Sequence, residues 1–585
     1  MRCRCVPENE VLVMLGARQP PADGHTPAKR LFALTLGVVA AFSAIGLQLV
    51  RLSASGERIE HATLTEPVAR SWSRPDIVDR AGRLLATDVA TSSLYADPRF
   101  VQDRDETVEK LRTIFPDLDE KDLLRQIAED GRRFLWIRRG LTPKLAQSVH
   151  NLGLPGLGFR REPHRVYPLG PVAAHVLGQV GIDNQGLSGL ERHIDDRAGA
   201  ELVLGAAGNR AAPLRLSIDL SVQHALRAEL ADAMSRYAGK AAAGLVLDVA
   251  TGEILAAASL PDFDPNRPAE APANARLDRL QGGVFELGSV WKIFTLAMVH
   301  DLGLTGDSKT YDVREPLVLS GRTINDFHGQ KRPLTGPEVF IHSSNIGASM
   351  MALDAGRDRQ REFLGRIGVL QAAANEAGAI APPLLPQRRD DLAAATISYG
   401  HGIAVAPLQF AGAVAALVNG GYRVQPTFLS ALDRPASGRE RLVRAQTSAR
   451  IRALLALNVT SPLGSGSRAE VPGLAVGGKT GTAEMPKAGG YAEKSVIASF
   501  VAAFPIDDPK FLTLVMLFEP GPVLETKGQL TAGFNAAPTT ARLIARIAPL
   551  LGIYPRIGAA LPRKVGALPD AASDAQFDAT REAKY

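Results

Sequence analysis

The sequence predicts a multidomain α+β protein with a single N-terminal transmembrane helix. The chain has 585 residues, which is too many for one ordinary domain. Residues 31–50 form an uncharged apolar run. From about residue 214 onward, strand-like and helix-like apolar patterns intermix along the chain. Such mixing is typical of α+β domains.

The apolar run at 31–50 predicts a membrane anchor. Its twenty uncharged residues match a hydrocarbon core about 30 Å thick, at a rise of about 1.5 Å per residue. Lys29 and Arg30 precede the run, and basic residues beside a span favour the cytoplasmic side. We therefore expect residues 1–30 to be cytoplasmic, 31–52 to cross the membrane once and the rest to be extracytoplasmic. A signal-peptide core or a buried helix is the alternative, but no Ala-x-Ala cleavage signal follows the run.

Two modules and a tail are predicted after the anchor. Residues 53–214 mix short apolar stretches with turns rich in Gly, Pro and Arg, which favours a β-rich pedestal. Apolar residues at helical spacing predict short helices at 106–114 and 120–128 within it. Residues 215–560 carry the mixed strand and helix patterns. The Ala- and Asp-rich residues 561–585 are typical of a disordered tail.

Composition argues against binding of nucleic acid and against a thiolate-bound metal. The 67 basic and 61 acidic residues give a net charge of +6, without the basic blocks or basic-aromatic stretches of nucleic-acid binders. Nucleic acid is therefore not expected as a partner. Both cysteines, Cys3 and Cys5, lie at the N-terminus, so the remaining chain folds without a disulfide or a thiolate-held metal. We expect neither a metal nor a cofactor.

The first motif with predicted chemistry is Ser289-Val290-Trp291-Lys292. Glycines precede it and a helical apolar pattern follows, so we expect Ser289 at a helix N-terminus with Lys292 one turn on. A lysine in a desolvated pocket loses its proton readily and can deprotonate the serine. Backbone N–H groups at such a terminus also favour a developing oxyanion. Alone, the motif is weak, because a helix cap and a solvated lysine share its letters.

The second motif is Ser343-Ser344-Asn345. The hydroxyl of Ser343 can pass a proton between Lys292 and a leaving amine, and the amide of Asn345 can hold a substrate amide. Taken alone, these residues equally suit a polar turn or a helix cap.

The third motif is Lys479-Thr480-Gly481-Thr482. Glycines around Lys479 let a ligand approach the backbone, the lysine adds positive charge, and Thr480 or Thr482 can bond a carboxylate. A phosphate loop is the alternative, because Gly473–Thr480 reads GLAVGGKT. A working phosphate loop opens a helix directly after its lysine, whereas Gly481 follows Thr480 here, so we do not expect nucleotide binding.

In their order and spacing, the three motifs resemble those of class B penicillin-binding proteins. The similarity extends over roughly residues 70–550 and resembles the cell-division type more than the elongation type. It departs from the family at Leu287, where proline is usual, and at Pro75, where glycine is usual. It implies a β-lactamase-like serine transpeptidase domain, with an antiparallel sheet flanked by helices. Further similar segments are Asp76–Ala86, Arg165–Glu191, Leu216–Gln223, Thr251–Asn266 and Ile397–Gly421.

The resemblance also implies a role for each motif residue. Ser289 would be acylated by the penultimate D-alanine of a stem peptide, with Lys292 as base and Ser343 as proton relay. Asn345 would orient the donor peptide, and Lys479 would hold its carboxylate. The other implied substrate-binding positions are Thr480, Gly481 and Thr482. The backbone N–H groups of Ser289 and Thr482 would form the oxyanion hole.

Substrates, partners and location follow from the same resemblance. It implies peptidoglycan stem peptides ending in D-Ala-D-Ala as substrates and β-lactams as covalent inhibitors. A SEDS-family glycan polymerase and other division proteins would be partners at the bacterial inner membrane. The alternatives are an elongation-type transpeptidase, a D,D-carboxypeptidase or β-lactamase-like hydrolase, and a non-catalytic penicillin-binding sensor or scaffold. The hydrolases share all three motifs and differ in whether water or an amine attacks the acyl-enzyme.

Overall fold

The computed structural model describes residues 27–54, 73–201, 212–305, 308–430, 440–487 and 490–556. The predicted tail at 561–585 and most of the predicted cytoplasmic segment at 1–30 lie outside these residues. The chain divides into two compact units, 1–68 and 69–585.

The first unit contains one described helix, α1 (Pro27–Ala54). Its exposed apolar side chains include Phe32, Phe42 and Leu47. Across the described ranges, no helix combines the length and the hydropathy required of a membrane span. The anchor predicted at 31–52 coincides with a helix, and its crossing of a membrane stays a prediction.

The pedestal predicted from the sequence contains a mixed five-stranded sheet and several helices. Its strands are β1 (Ile77–Val78), β2 (Leu84–Ala96), β3 (Leu135–Leu141), β4 (Leu157–Val166) and β5 (Leu214–Arg215). Its helices are α2 (Arg104–Ile114), α3 (Glu120–Ile127), α4 (Pro143–His150), α5 (Ala174–Leu177) and α6 (Gly189–Glu201). The strands pair in the order β3-β2-β1-β5, and β4 also pairs with β2. The two helices predicted in this region are confirmed as α2 and α3.

A buried ion cluster ties distant parts of the pedestal together. Arg74 Nε lies 2.8 Å from Glu191 Oε2, and Arg74 Nη1 lies 2.6 Å from Asp195 Oδ1. Arg165 contacts the other oxygen of Glu191 at 2.7 Å and Asp88 at 3.2 Å. Both arginine side chains are fully buried. Each buried cation therefore lies against two carboxylates, as a buried charge requires.

The region after residue 215 is built on a second five-stranded sheet, which is antiparallel throughout. Its first two strands in the sequence are β6 (Ala241–Asp248) and β7 (Ile254–Leu260). Short strands outside this sheet are β8 (Thr310–Tyr311), β9 (Leu317–Leu319), β10 (Arg322–Ile324), β11 (Leu334–Thr335), β12 (Ala373–Asn375) and β13 (Gly378–Ile380). The sheet is completed by β14 (Gly477–Lys487), β15 (Gly490–Phe504) and β16 (Phe511–Phe518). Its order is β14-β15-β16-β6-β7, so β14 is an edge strand.

Helices cover both faces of this sheet, with α13 and α14 on one face and α7 and α15 on the other. The helices of this region are α7 (Leu220–Arg236), α8 (Lys292–Asp301), α9 (Gly336–Ile341), α10 (Asn345–Ala355), α11 (Arg357–Arg366), α12 (Asp391–Ile397), α13 (Pro407–Val418), α14 (Ala445–Thr460) and α15 (Ala536–Ile547). Leu245 of β6 belongs to the core that contains α8, α13 and α14, and its neighbour Val246 belongs to the core that contains α7 and α15. Because both faces are covered, the strands β6, β7 and β16 are almost entirely apolar and buried, as in other sheets buried on two sides.

Candidate active site

The first motif lies where the buried helix α8 begins. Residues Gly288–Trp291 form a 3-10 turn, and α8 starts at Lys292. Every residue from Lys292 to Val299 is buried. Ser289 therefore precedes Lys292 by one turn, as predicted, but it lies in a 3-10 turn and not at the α-helix terminus itself. Such tight turns commonly open α-helices, and sequence periodicity does not separate the two.

Two glycines bring this turn against the edge strand β14. Gly288 has a φ of +59°, and a Cβ atom there would lie 2.5 Å from the carbonyl oxygen of Thr482. A Cβ atom on Gly481 would lie 2.3 Å from the carbonyl oxygen of Leu287. Both distances are too short for a side chain, so glycine is required on each side of the contact. Leu287, which replaces the usual proline, is buried.

Lys292 connects the first two motifs. Its Nζ lies 2.7 Å from Ser289 Oγ and 2.7 Å from Asn345 Oδ1. The same nitrogen lies 3.0 Å from the carbonyl oxygen of Ser343 and 3.3 Å from Ser343 Oγ. The lysine side chain is fully buried. The hydroxyl and the amine that the sequence places one turn apart are therefore in direct contact.

Ser343 has an unusual backbone conformation that serves these contacts. Its φ of +57° lies in the left-handed region, which non-glycine residues rarely adopt. In this conformation both its carbonyl oxygen and its hydroxyl lie within 3.3 Å of Lys292 Nζ. Such conformations cost about 1–3 kcal/mol and persist where surrounding contacts fix them, commonly at functional sites.

The third motif lies within β14, paired with β15. Lys479 pairs with Val501, and its Nζ lies 3.0 Å from Ser343 Oγ. The side chain of Lys479 is fully buried. The phosphate-loop alternative is therefore wrong, because Gly473–Thr480 leads into a strand and not into a helix.

The two buried lysines have neutral polar partners. In the part of the chain that the structure describes, no carboxylate forms an ion pair with Lys292 or Lys479. Burial holds the pKa of Lys292 well below its usual value, and the charge of Lys479 lowers it further, while the carboxylate of Asp326 opposes both. Burial also lowers the pKa of Lys479 to about 7. Desolvation thus favours the neutral amine, which is the form that accepts a proton from a serine.

The predicted carboxylate-binding hydroxyls lie at the same edge of the sheet. Thr480 Oγ1 donates a hydrogen bond to Ser465 Oγ at 2.6 Å and is 7% exposed. Thr482 Oγ1 accepts a hydrogen bond from the backbone N–H of Ala532 at 3.2 Å. The half-buried residues of the site are Ser289, Ser343, Asn345 and Thr482. The site therefore presents hydroxyls and an amide near its surface, with the two lysine side chains fully buried.

Comparisons with known proteins agree with this fold and geometry. Residues 242–544 match the family model of the penicillin-binding protein transpeptidase domain. Residues 71–201 match the penicillin-binding protein dimerisation domain. A Caulobacter vibrioides protein, named probable peptidoglycan D,D-transpeptidase FtsI, is 42% identical over 490 residues, which cover 82% of each chain. This chain belongs to the class B penicillin-binding proteins.

Other relatives of this penicillin-binding protein support the same assignment. The peptidoglycan D,D-transpeptidase FtsI of Escherichia coli K12 is 29% identical over 512 residues, which cover 83% of this chain and 85% of that protein. The crystal structure of penicillin-binding protein 3 from Mycobacterium tuberculosis, complexed with aztreonam, superposes with a TM-score of 0.63. It is 23% identical and covers 83% of this chain and 97% of that chain, so it shows a shared fold. The family predicted from the sequence is confirmed, and the match to the dimerisation domain precedes the match to the transpeptidase domain along the chain.

Sequence reasoning missed residues that support the motifs of this penicillin-binding protein. Ser465 Oγ lies 3.3 Å from Lys479 Nζ and 3.2 Å from Asn458 Oδ1. The side chain of Asn458 is buried and donates to the carbonyl oxygen of Gly478 at 2.8 Å. Asp326 accepts hydrogen bonds from the second motif. Ser465 and Asp326 stand outside any motif or apolar period, so the sequence alone gives no signal for them.

Proposed function

We propose that this penicillin-binding protein is a peptidoglycan D,D-transpeptidase that cross-links stem peptides during septal wall synthesis. The observation that carries the proposal is the 2.7 Å contact between Ser289 Oγ and Nζ of the fully buried Lys292, which forms no ion pair with a carboxylate among the described residues. A serine beside a neutral amine is an activated nucleophile. Similarity to two proteins named FtsI supports both the substrate and the division role.

Acylation is the first step of the proposed reaction. Ser289 Oγ attacks the carbonyl carbon of the penultimate D-alanine, while neutral Lys292 accepts the hydroxyl proton. The backbone N–H groups of Ser289 and Thr482 stabilise the oxyanion. The C–N bond to the terminal D-alanine then breaks, and the proton reaches the departing amine through Ser343. The products are free D-alanine and an ester on Ser289.

Donor binding is assigned to the edge strand and the second motif. Lys479 supplies a positive charge for the terminal carboxylate, and the Thr482 hydroxyl donates a hydrogen bond to it. The Thr480 hydroxyl donates to it as well when its proton turns away from Ser465. Gly481 lets the donor approach the strand backbone. The amide of Asn345 orients the donor through one donor and one acceptor.

Deacylation decides between the candidate activities. An amine from a second stem peptide attacks the ester carbonyl, forms the cross-link and returns the proton to Ser289. Water in place of this amine gives a carboxypeptidase or a β-lactamase. The same hydrogen-bonded group supports either outcome, so the nucleophile for the second step must be measured.

A donor peptide ester and a D-amino acid acceptor test the proposed activity with the purified full-length chain. We expect an aminolysis product that increases with acceptor concentration, and none with Ser289→Ala. Hydrolysis alone at saturating acceptor contradicts transpeptidation and favours a carboxypeptidase. Rapid penicillin turnover without a stable adduct favours a β-lactamase. A folded chain without either reaction, whose Ser289→Ala variant still replaces the wild-type gene, favours a scaffold.

The domain boundaries and the membrane anchor belong to the same proposal. We assign 31–52 to a single-pass inner-membrane anchor, 53–214 to the pedestal and 215–560 to an extracytoplasmic transpeptidase domain. Exposed apolar side chains on α1 support the anchor, because a hydrocarbon core would remove them from water. Deleting 27–54 should release the chain from carbonate-washed membranes. Retention of this variant in the membrane pellet would contradict the anchor.

A glycan polymerase is the proposed partner. Residues 71–201 match the penicillin-binding protein dimerisation domain. We propose that a SEDS-family polymerase and other division proteins associate with the anchor and the pedestal. Co-purification of that polymerase with the full-length chain tests the proposal, and equal recovery with a chain that lacks 27–201 would contradict it.

A further inference from the structure

The carboxylate of Asp326, which lies in a loop before the second motif, accepts hydrogen bonds from that motif. Its Oδ1 accepts hydrogen bonds from the backbone N–H groups of Asn345 at 2.5 Å and Ile346 at 2.9 Å. Its Oδ2 accepts a hydrogen bond from the hydroxyl of Ser344 at 2.6 Å. One half-buried carboxylate therefore binds three consecutive residues at the start of α10.

An ordinary helix cap does not account for these contacts. Ser344 is already the N-cap of α10, because its Oγ accepts from the backbone N–H of Gly347 at 2.9 Å. Asp326 lies 18 residues before Ser344 in the chain, whereas a capping side chain normally lies within the first turn. Its hydrogen bonds therefore hold the capping turn itself in place.

The same loop also fixes the side chain of Asn345. The Nδ2 of Asn345 donates to the carbonyl oxygen of Asn325 at 3.1 Å, and its Oδ1 lies 2.7 Å from Lys292 Nζ. The amide is thus held at one end by the loop and at the other by the lysine. Ser343, which directly precedes this turn, is held in its left-handed conformation beside Lys292.

We propose that Asp326 is a positioning residue for acylation. It fixes the turn from Ser343 to Asn345, so that the Ser343 hydroxyl and the Asn345 amide oxygen face Lys292. The inference rests on the proposed role of Lys292 as the base. The hydrogen bonds of Asp326 go to the second motif and not to the reacting serine, so Asp326 acts through the residues that it holds.

The charge of Asp326 has a second, separable consequence. It raises the pKa of Lys292, whereas burial and the charge of Lys479 lower it. Without this carboxylate charge, Lys292 would stay neutral to lower pH. The acid limb, which is the part of the pH–rate profile where acylation becomes faster with rising pH, would therefore move to lower pH. Other titratable groups at this end of the site are Tyr399, whose ring centroid lies 5.9 Å from Lys292 Nζ, and the Glu286–His401 pair beside it.

Two substitutions separate position from charge. Asp326→Ala removes all three hydrogen bonds, and we expect acylation by a fluorescent penicillin to slow on the order of 100-fold, the cost of displacing a catalytic group by about 1 Å. Asp326→Asn keeps an oxygen for the two backbone N–H groups but removes the charge. It should retain most of the rate at high pH and shift the acid limb to lower pH. Asp390→Asn is the matched control, because Asp390 caps α12 through Ala393.

The full-length chain and its variants are compared across a pH series, with thermal unfolding measured in parallel. A wild-type rate for Asp326→Ala, or an unmoved acid limb for Asp326→Asn, overturns the inference. If Asp326→Ala fails to fold, the pH at which the acid limb of Asp326→Asn lies decides whether the inference stands. A wild-type chain that forms no adduct at Ser289 instead overturns the proposed function, so the two failures are distinguishable.

Discussion

The pedestal and the transpeptidase domain both bury cations, but they neutralise them differently. In the pedestal, Arg74 and Arg165 lie between carboxylates, with Glu191 shared by both. In the transpeptidase domain, Lys292 and Lys479 contact hydroxyls, carbonyls and an amide. A buried charge is costly unless it is paired. The pedestal therefore keeps charged groups for structure, whereas burial in the active site lowers the pKa of Lys292 toward the neutral form that can act as a base.

Substituting the proposed base gives the largest expected effect. Lys292→Met should reduce penicillin acylation by about 10⁴-fold or more, without lowering the unfolding temperature, because it removes a desolvated amine. The measurement is the rate of adduct formation, with thermal unfolding in parallel. Lys309→Met is the control, since Lys309 is an exposed lysine. This variant should be acylated at the wild-type rate. An acylation rate for Lys292→Met within about tenfold of the wild-type rate would contradict the catalytic role of this buried lysine, by which the two regions differ.

Breaking the buried ion cluster of the pedestal should lower the stability of the chain without slowing acylation. Arg74→Met leaves buried Glu191 without one of its cations, so we expect the free energy of unfolding to fall by about 3–5 kcal/mol. The acylation rate per folded molecule should be unchanged. Urea unfolding measures the loss. Arg138→Met, at the exposed pair with Asp117, should cost about 1 kcal/mol or less, and equal costs for the two variants would contradict the structural role of the cluster.

The pH dependence of acylation reports the protonation states of Lys292 and Lys479. The apparent second-order rate should rise with pH as Lys292 loses its proton, and fall above about 7 as Lys479 loses its charge. The alkaline decline should approach about tenfold per pH unit. Lys479→Arg should remove this decline, although its rate is lower, because arginine stays charged. An alkaline limb that remains at the same pH in Lys479→Arg would exclude Lys479 as its source.

Removing Ser465 should give the smallest effect. Ser465→Ala deletes the hydrogen bond from Thr480 and the contact with Lys479. The loss of about 1 kcal/mol corresponds to roughly fivefold slower acylation, and thermal stability should be little changed. Ser461→Ala, in the same loop, is the control. Equal rates for both variants and the wild type would show that the Ser465 hydroxyl does not support the site.

The reacting groups could be predicted because each lies in a short motif. Ser289 and Lys292 are one turn apart, and local backbone geometry alone brings such residues together. Apolar runs follow Lys479 in the sequence, and the structure places this lysine on the edge strand β14. The family and the order of the modules followed from the same motifs.

The supporting residues could not be predicted, because long-range folding brings them to the site. Asp326 reaches the second motif from 18 residues away, and Arg74 reaches Glu191 across 117 residues. Neither contact produces a period or a motif in the sequence. The 3-10 turn at Ser289 likewise depends on how closely Gly288 packs against β14, which is a tertiary contact.

Mass spectrometry of the purified full-length chain after penicillin treatment identifies the nucleophile. Proteolysis should yield one penicilloyl adduct, on the peptide that contains Ser289, and Ser289→Ala should yield none. Acylation requires a hydroxyl activated by a buried neutral amine, so the adduct must lie on that serine. An adduct on any other residue, or a folded wild-type chain that forms no adduct, would contradict it.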